Sequence, residues 1–295
     1  MILDTIAAST RKRVEKHREK KSLEQVRREA LELAEKDGRA AEERAAGPED
    51  EQEKAVRSGK NQTANASLVL PFEAALRRPG VSFICEAKKA SPSKGLIAPH
   101  FPYVDIAREY EEAGADAMSV LTEPEFFLGN DSYLEEIHRA VDLPLLRKDF
   151  TIDEYQIYEA KVLGASAVLL ICSLLNGEQL KRYIGICREL GLSQLVEAHT
   201  DEEVSVAAEA GATIIGINNR NLKTFEVDFS NALRLRRLVD KNTVFVAESG
   251  IRGPEDVKAL AEAKVDAVLI GETLMRAENK KEMLQRLRAA AGGLA

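Results

Sequence analysis

Short apolar runs of strand length recur along the chain from residue 81 onward, with helical patterns between them. Eight runs follow one another at intervals of roughly 20–35 residues, at 81–86, 116–121, 143–147, 167–171, 194–197, 213–218, 243–248 and 267–270. Several are apolar throughout instead of alternating, which is typical of strands that are covered on both faces. Patterns of helical period predict helices at 105–113, 153–163, 176–190 and 201–210, each followed by glycine, the usual residue after a helix C-terminus.

This alternation predicts an α/β fold, a (β/α)8 TIM barrel with an N-terminal helical extension. Eight β-α units over about 210 residues fit such a barrel closely. The tripeptides that begin at Gly114, Gly164 and Gly211 read Gly-Ala-Asp, Gly-Ala-Ser and Gly-Ala-Thr, an internal repeat of the β-α unit. A doubly wound open sheet is the alternative. It more often carries a G-x-G-x-x-G turn after its first strand, and this sequence has none there.

The first 67 residues have a different pattern and predict the helical extension. Residues 1–36 follow a helical period, and Ser22 with Gln25 has the spacing of a capping box. An apolar stripe near the start is formed by Ile2, Leu3, Ile6 and Ala7. Residues 37–67 contain almost no large apolar side chain and predict a loop or a partly helical, solvated segment. We therefore predict a single domain, with the extension and its polar insertion at 1–67 and the catalytic barrel at 68–295.

Composition narrows the classes of function. The hydrophobic content of 44% and charged content of 31% are ordinary for a soluble globular protein. The formal net charge of −7 argues against nucleic-acid binding, which normally needs a basic face. Three cysteines and four scattered histidines form no disulfide framework and no metal-type spacing, so we expect reduced thiols, no metal and no cofactor. Without an apolar run of about 18–20 residues or a signal peptide, we expect a cytoplasmic monomer that does not bind membranes.

Charged and polar residues collect at the C-terminal ends of the predicted strands, where a TIM barrel carries its active site. A single such residue is equally well explained by an outward ion pair or a solvated charge cluster. The same register at several strands makes that explanation improbable, because unpaired charges are rare in a core. The candidate catalytic residues are Glu86, Lys88, Lys148, Glu197, Asn218 and Glu248. The cations that we expect near these ends are Lys88, Lys89, Lys94, Arg147, Lys148 and Arg220.

The loops after the last two strands predict a phosphate site. Small residues there let backbone N–H groups turn toward an anion, and a helix N-terminus adds its positive end. These loops are the usual phosphate site of the fold, and here they contain Ser249, Gly250, Gly271 and Glu272. The alternative is that the glycines only make tight turns.

Six segments in this order and spacing resemble indole-3-glycerol phosphate synthase of tryptophan biosynthesis. They are EAKKASPSKG, LRKDF, LVEAHT, IGINNRNLKTFEVD, AESGI and LIGETLM, which begin at positions 86, 146, 195, 215, 247 and 269. The resemblance covers about residues 68–290 and the N-terminal helix. It implies that 1-(2-carboxyphenylamino)-1-deoxyribulose 5-phosphate closes to indole-3-glycerol phosphate with loss of CO2 and water.

The resemblance also implies roles for the candidate residues. Lys148 is the general acid that protonates the ribulose carbonyl during ring closure, and Glu197 is the base of the dehydration. Lys88 is a second acid and contacts the substrate carboxylate. Glu86, Asn218 and Glu248 then orient these lysines and the sugar hydroxyls.

Three further residues are expected to bind the substrate. Arg220 is predicted to anchor the anthranilate carboxylate, because a guanidinium binds carboxylates bidentately. Ser91 is predicted to order the first loop over the ligand. Phe150 is predicted to stack on the aromatic ring, with simple packing as the alternative. We interpret His199, two residues after Glu197, as a loop residue.

Two features depart from the family pattern, and two rival functions remain open. Segment 37–67 is longer than the corresponding link in many relatives. Glu272 stands where some relatives have serine, so we predict that it offers its backbone N–H to phosphate and turns its carboxylate away. The rivals are another phosphate-binding barrel enzyme, such as phosphoribosylanthranilate isomerase, and a non-catalytic barrel that binds a phosphorylated ligand.

Overall fold

A computed structural model describes residues 2–46, 70–221 and 224–292, and these form a closed parallel barrel with three helices before its first strand. In chain order the elements are α1 (Ile2–Lys20), α2 (Leu23–Ala46), α3 (Pro71–Leu76), β1 (Ser82–Ala87), β2 (Ala90–Ser91), β3 (Gly95–Leu96), α4 (Tyr103–Glu112), β4 (Ala117–Leu121), α5 (Asp131–His138), β5 (Leu145–Lys148), α6 (Glu154–Val162), β6 (Ala167–Ile171), α7 (Gly177–Glu189), β7 (Ser193–Ala198), α8 (Asp201–Glu209), β8 (Ile214–Asn218), α9 (Ser230–Leu235), β9 (Val244–Glu248), α10 (Pro254–Glu262), β10 (Ala267–Ile270), α11 (Glu272–Arg276) and α12 (Lys280–Ala290).

The barrel confirms the predicted (β/α)8 architecture. Its strands follow the order β1, β4, β5, β6, β7, β8, β9, β10, and β10 returns to β1. Cys85 on β1 shows the closure directly, because it pairs with Met118 of β4 on one side and Ile270 of β10 on the other. A doubly wound sheet would leave two open edges, so that alternative is wrong. The eight barrel strands overlap the eight predicted runs.

The repeated Gly-Ala-Asp and Gly-Ala-Ser tripeptides connect consecutive strands. The Asp116 carboxylate accepts a hydrogen bond from the Phe83 N–H at 2.8 Å. In the same way, the Ser166 hydroxyl accepts from the Leu145 N–H at 3.3 Å. In each case a polar side chain before one strand satisfies a backbone donor at the start of the preceding barrel strand, which would otherwise be buried without a partner.

Replacing Asp116 by alanine is expected to lower the free energy of unfolding by roughly 1–3 kcal/mol, because the buried Phe83 N–H then loses its acceptor. The Asp116 carboxylate is also paired with Arg288, and that pair is lost as well. Urea denaturation measures the change. Asp105→Ala is the matched control, because its 3.5 Å contact with Arg108 lies on the exposed surface of α4, where ion pairs contribute little. Equal losses in the two variants would contradict the connecting role of Asp116.

The N-terminal extension consists of α1 and α2, which are 19 and 24 residues long. The capping box is confirmed, since the Ser22 N–H donates to Gln25 at 2.8 Å and the Gln25 N–H donates to Ser22 at 3.2 Å. Helix α2 continues ten residues beyond Lys36 to Ala46, so the start of the polar insertion is helical, and its remainder lies outside the described residues. None of the helices in the described part of the chain has the length and apolar character needed to cross a membrane.

Candidate active site

A cavity of about 890 Å³ opens at the C-terminal ends of the barrel strands, and we refer to it as the mouth cavity. Helix α1 contributes to its wall through Ile2, Leu3 and Ile6. All residues that the sequence predicted for catalysis or binding line this cavity: Glu86, Lys88, Ser91, Lys148, Phe150, Glu197, Asn218, Arg220, Glu248, Ser249, Gly250, Gly271 and Glu272. The barrel thus brings together groups that are far apart in the sequence.

Lys148, the last residue of β5, lies between two carboxylates from other strands. Its Nζ is 3.2 Å from Glu197 Oε2 and 3.5 Å from Glu248 Oε2. Burial alone would lower the pKa of Lys148, but Glu197, Glu248 and Glu86 together raise it above its ordinary value. The side chain is therefore a protonated donor at neutral pH, held by ion pairs in a largely buried position.

Glu197 is held by two donors. Its Oε2 accepts a hydrogen bond from the Lys148 ammonium, and its Oε1 accepts one from Asn218 Nδ2 at 3.1 Å. The Asn218 Oδ1 in turn accepts from the Arg220 N–H at 3.0 Å, so the amide orientation is determined by its neighbour. This arrangement aims one carboxylate oxygen at the Lys148 ammonium and fixes the other.

Glu248 holds its proton more readily than an ordinary glutamic acid, because its pKa is raised. Burial raises its pKa to about 7, and the charges of Glu197 and Glu86 contribute, while Lys148 acts in the opposite direction. Its buried Oε1 has no hydrogen-bond partner among the described residues. That oxygen lies above Gly216, where an added Cβ would be only 2.1 Å from it. The carboxyl group therefore occupies space that exists because residue 216 has no side chain.

Replacing Glu248 by glutamine is expected to remove one pH-dependent contribution to stability. The folded protein keeps the Glu248 proton up to pH about 7, whereas the unfolded chain releases it at a lower pH. Stability from this group is therefore present at low pH and is lost as the pH rises through 7. Between pH 5.5 and 8.5, Glu248→Gln should become more stable relative to the unmodified protein by about 2 kcal/mol.

Urea denaturation of both proteins at the two pH values measures this difference. In the difference between the two free energies of unfolding, the contributions of groups that titrate alike in both proteins cancel. A stability difference that does not change with pH would contradict the raised pKa of Glu248.

Glu86 and Lys88 form an ion pair at the end of β1, on the same face of the strand as predicted. Burial alone would raise the pKa of Glu86, but Lys88 and Lys148 lower it, and the net shift is downward. Ser119 also donates to the Glu86 carboxylate at 3.4 Å. A Cβ at Gly271 would lie 2.5 Å from Glu86 Oε1 and 3.1 Å from Lys88 Nζ. This glycine therefore makes room for the ion pair, in addition to its predicted place in the phosphate loop.

The predicted phosphate loops lie together at one side of the mouth cavity. Ser249 and Gly250 have positive φ values of 66° and 79°, which re-aim their backbone N–H groups at the end of β9. The Glu272 carboxylate contacts Arg276 at 3.1 Å and Lys94 at 3.5 Å. These two cations hold it at the edge of the cavity, and its orientation toward a bound phosphate stays a prediction.

Aromatic side chains form another part of the wall. Phe150 lies with its ring centroid 5.9 Å from that of Phe127, which comes from the loop after β4. Sequence reasoning missed Phe127, as well as Arg252 and Arg276, which also line the cavity. Their positions in loops that follow barrel strands were the available signal.

Two of the six expected cations, Lys89 and Arg147, are absent from the lining of the mouth cavity. Arg147 is only 3% exposed and contacts the helix layer, where it reaches Asp131 and Glu159 at 2.7 Å each. The expectation that Arg147 adds its charge to the mouth of the barrel is wrong. Neighbouring residues on a strand point to opposite faces, so Lys148 points into the barrel and Arg147 points out toward the helices.

The same outer region holds a possible metal-ligand group. Among the described residues, His17, Asp131 and Glu159 place one ligand atom each within 4.8 Å of one another. The Arg147 guanidinium already donates to both carboxylates, and the group is not part of the mouth cavity.

His199 is engaged in the loop that follows β7. Its Nδ1 lies 2.7 Å from the Asn218 carbonyl oxygen, and its N–H donates to the Glu203 carboxylate at 2.6 Å. It is absent from the lining of the mouth cavity. These contacts agree with its interpretation as a loop residue.

A closed barrel with two lysines and three carboxyl groups in contact at the C-terminal ends of its strands is the architecture of a TIM-barrel enzyme. The family profile described as indole-3-glycerol phosphate synthase matches residues 39–287. The chain belongs to the indole-3-glycerol phosphate synthase family, and it is accordingly a carboxy-lyase of tryptophan biosynthesis.

Similar proteins with that name align over nearly the whole chain. The indole-3-glycerol phosphate synthase of Ruminiclostridium cellulolyticum is 52% identical, covering 99% of this chain and 100% of its own. That of Lachnoclostridium phytofermentans is 50% identical, covering 98% of this chain and 99% of its own.

Solved structures of low sequence identity share the barrel. The 3-hexulose-6-phosphate synthase of Salmonella typhimurium aligns with a TM-score of 0.59 at 14% identity, covering 72% of this chain and 98% of its own. A thiamine phosphate pyrophosphorylase from Pyrococcus furiosus has a TM-score of 0.55 at 17% identity, covering 74% of this chain and 98% of its own. At such identities the likeness shows the fold alone.

Proposed function

We propose that this chain converts 1-(2-carboxyphenylamino)-1-deoxyribulose 5-phosphate into indole-3-glycerol phosphate, CO2 and water. Family membership supports the reaction. The observation that carries the assignment of residues is the placement of Lys148 between Glu197 and Glu248, across from the Glu86–Lys88 pair. Two lysines and three carboxyl groups in one cavity supply the acids and bases that both steps of this reaction need.

In the ring closure, the aromatic carbon that bears the carboxylate attacks the ribulose C2 carbonyl. Lys148 protonates the carbonyl oxygen as the new C–C bond forms. The raised pKa of Lys148 keeps it charged until the oxygen gains electron density. Breaking the bond to the carboxylate then releases CO2, and its electron pair restores the aromatic six-membered ring.

In the dehydration, Glu197 accepts a proton from the ring-closed intermediate, and an acid assists the departure of hydroxide as water. We assign that acid role to Lys88, which also contacts the substrate carboxylate. Glu86 orients Lys88 through their ion pair, and Asn218 orients Glu197 through the 3.1 Å hydrogen bond. Glu248 holds Lys148 and offers its unpartnered Oε1 to a sugar hydroxyl.

The substrate has two anionic ends, and the cavity offers a site for each. Phosphate is assigned to the backbone N–H groups of Ser249, Gly250, Gly271 and Glu272. Arg220 binds the anthranilate carboxylate, Phe150 stacks on the aromatic ring beside Phe127, and Ser91 orders the loop that closes over the ligand. We also propose that the protein works as a cytoplasmic monomer and binds neither nucleic acid nor membranes.

The test follows indole fluorescence after the carboxyphenylamino-deoxyribulose phosphate is added to the purified protein. We expect a fluorescent product together with stoichiometric CO2. A protein that binds the compound without forming product would instead be the non-catalytic phosphate-binding barrel. Turnover of phosphoribosylanthranilate without indole formation would indicate the isomerase.

A further inference from the structure

Asp149 lies directly behind the acid, and every oxygen of its carboxylate is engaged. It follows Lys148 in the chain and is 2% exposed. Its Oδ1 accepts from Arg13 Nη2 at 2.6 Å and from the Phe150 N–H at 2.7 Å. Its Oδ2 accepts from the Thr122 hydroxyl at 2.6 Å. The carboxylate therefore joins α1, the end of β4 and the end of β5 at a single point.

These contacts constrain the backbone of the segment 148–150, whose three residues all line the mouth cavity. Asp149 stands between Lys148 and Phe150, so its carboxylate orients the peptide units on both sides. The Lys148 carbonyl is also held, because it accepts from the Thr122 N–H at 3.2 Å. A displacement of about 1 Å at a reacting group can lower a rate about 100-fold, so the rigidity of this segment matters for catalysis.

Arg13 brings the N-terminal helix into this arrangement. Its guanidinium donates to Asp149 and also to the Thr122 carbonyl, at 3.3 Å. Further along α1, His17 contacts Glu159 and Arg18 contacts Asp153, each at 2.7 Å. The same helix lines the mouth cavity at its first turns. Helix α1 is thus attached to the segment around the acid by a largely buried ion pair and to α6 by more exposed ones.

The charge of Asp149 depends on its cationic neighbours. Burial alone would raise the pKa of this carboxyl, but Arg13 and then Arg147 lower it below its ordinary value. Arg147 is more distant, at 3.9 Å from Oδ2. Removing Arg13 would leave a buried carboxylate with weaker compensation, and such groups disturb their surroundings strongly.

We propose that Arg13 and Asp149 form an anchor that positions Lys148 and Phe150, which makes the N-terminal helix part of the catalytic apparatus. Both are positioning residues that act through the segment 148–150. Arg13 is absent from the lining of the mouth cavity, and both carboxylate oxygens of Asp149, which does line it, are taken up by hydrogen bonds within the protein. The kinetic part of this inference rests on the proposed function. The structural part, an ordered segment around Lys148 that depends on Arg13, is independent of it.

The experiment compares Arg13→Met, Arg13→Lys, Asp149→Asn and the double variant Arg13→Met/Asp149→Asn with the unmodified full-length protein. Arg18→Met is the matched control, because it removes another arginine–aspartate pair from the same helix at a more exposed position. Steady-state fluorescence gives kcat and KM. Hydrogen exchange of peptides that cover 145–151 reports the order of the segment without any turnover, and urea denaturation identifies variants that fail to fold.

For Arg13→Met we expect kcat to fall about 10–100-fold while KM changes less than about threefold, together with faster exchange at 145–151. Arg13→Lys should recover part of kcat. In the double variant, the fold-loss of kcat should be smaller than the product of the fold-losses in the two single variants. Arg18→Met should leave kcat within about twofold. If Arg13→Met does not fold, Arg13→Lys and Asp149→Asn carry the same comparison.

The anchor would be overturned by folded Arg13→Met and Asp149→Asn proteins whose kcat and exchange at 145–151 match the unmodified protein. A loss of kcat equal to that of Arg18→Met would also overturn it, because the effect would then belong to helix attachment in general. If the unmodified protein forms no indole product, the proposed function fails, and the exchange comparison still decides whether the anchor exists.

Discussion

Replacing Lys148 by methionine is expected to lower kcat by about 10²–10⁴-fold, the range that a positioned general acid contributes. Methionine keeps the length of the side chain and removes the ammonium that lies 3.2 Å from Glu197 and 3.5 Å from Glu248. Ring closure then lacks its proton donor. Binding of the substrate should largely survive, because the sites that we propose for its phosphate and carboxylate are formed by other residues of the mouth cavity.

Lys148→Arg separates the charge of this residue from its acidity. A guanidinium keeps the positive charge between the carboxylates, but it does not release a proton at neutral pH. We expect this variant to remain as stable as the unmodified protein and to be nearly as slow as Lys148→Met. Lys258→Met, on the exposed surface of α10, is the control for a lost lysine. Calorimetry measures substrate binding to each variant. A near-normal kcat in Lys148→Met would show that another group is the acid.

Replacing Gly216 by alanine is expected to lower kcat about 100-fold although it removes no polar group. The added methyl would lie 2.1 Å from Glu248 Oε1, a contact that cannot persist, and 3.1 Å from Leu195 Cδ1, which is tight. The Glu248 carboxyl must move, and Lys148 loses one of the two carboxyl groups that hold its ammonium in place. Misplacement of an acid by about 1 Å is enough for a loss of this size.

Two comparisons test this steric explanation. Gly185→Ala is the matched control, because an added Cβ at that position in α7 would have nothing within 4 Å. Alanine is a better helix former than glycine, so this variant should be fully active and slightly more stable. In a Glu248→Ala background, Gly216→Ala should cost little further activity, since the clashing carboxyl is gone. A full 100-fold loss in that background would refute the explanation.

Sequence patterns predicted the barrel and most of its mouth because both follow from short-range periodicity. Strand runs and helix ends are set by local side chains, and parallel strands that alternate with helices close into few arrangements. The C-terminal end of each strand, such as β1, then lies at the mouth of the barrel. Glu86 and Lys88 are two residues apart, so the sequence predicted that they share one face of the strand there. The same reasoning placed Glu197 and Glu248 at the same end, on β7 and β9.

Sequence patterns predicted less well which face of a strand a side chain points to, because a shift of one residue reverses the face. Arg147 and Lys148 are neighbours with the same charge, and only the register of β5 in the barrel sends the first outward and the second inward. Phe127 lies in a loop whose path depends on Glu123, which accepts hydrogen bonds from the N–H groups of Phe126 and Phe127 at 2.7 and 3.0 Å. Such a loop has no periodic pattern of its own from which its path could be predicted.

By itself, the sequence determined the α/β alternation, the eight strands and the residue types at their C-terminal ends, because backbone periodicity and local capping encode these features. Only the tertiary structure decided which groups meet. It placed Glu248 above Gly216, the Glu86–Lys88 pair against Gly271, and Arg13 of the first helix on Asp149, next to Lys148 in the chain. These contacts join residues from distant segments, and their distances depend on barrel closure and helix packing, which no local pattern specifies.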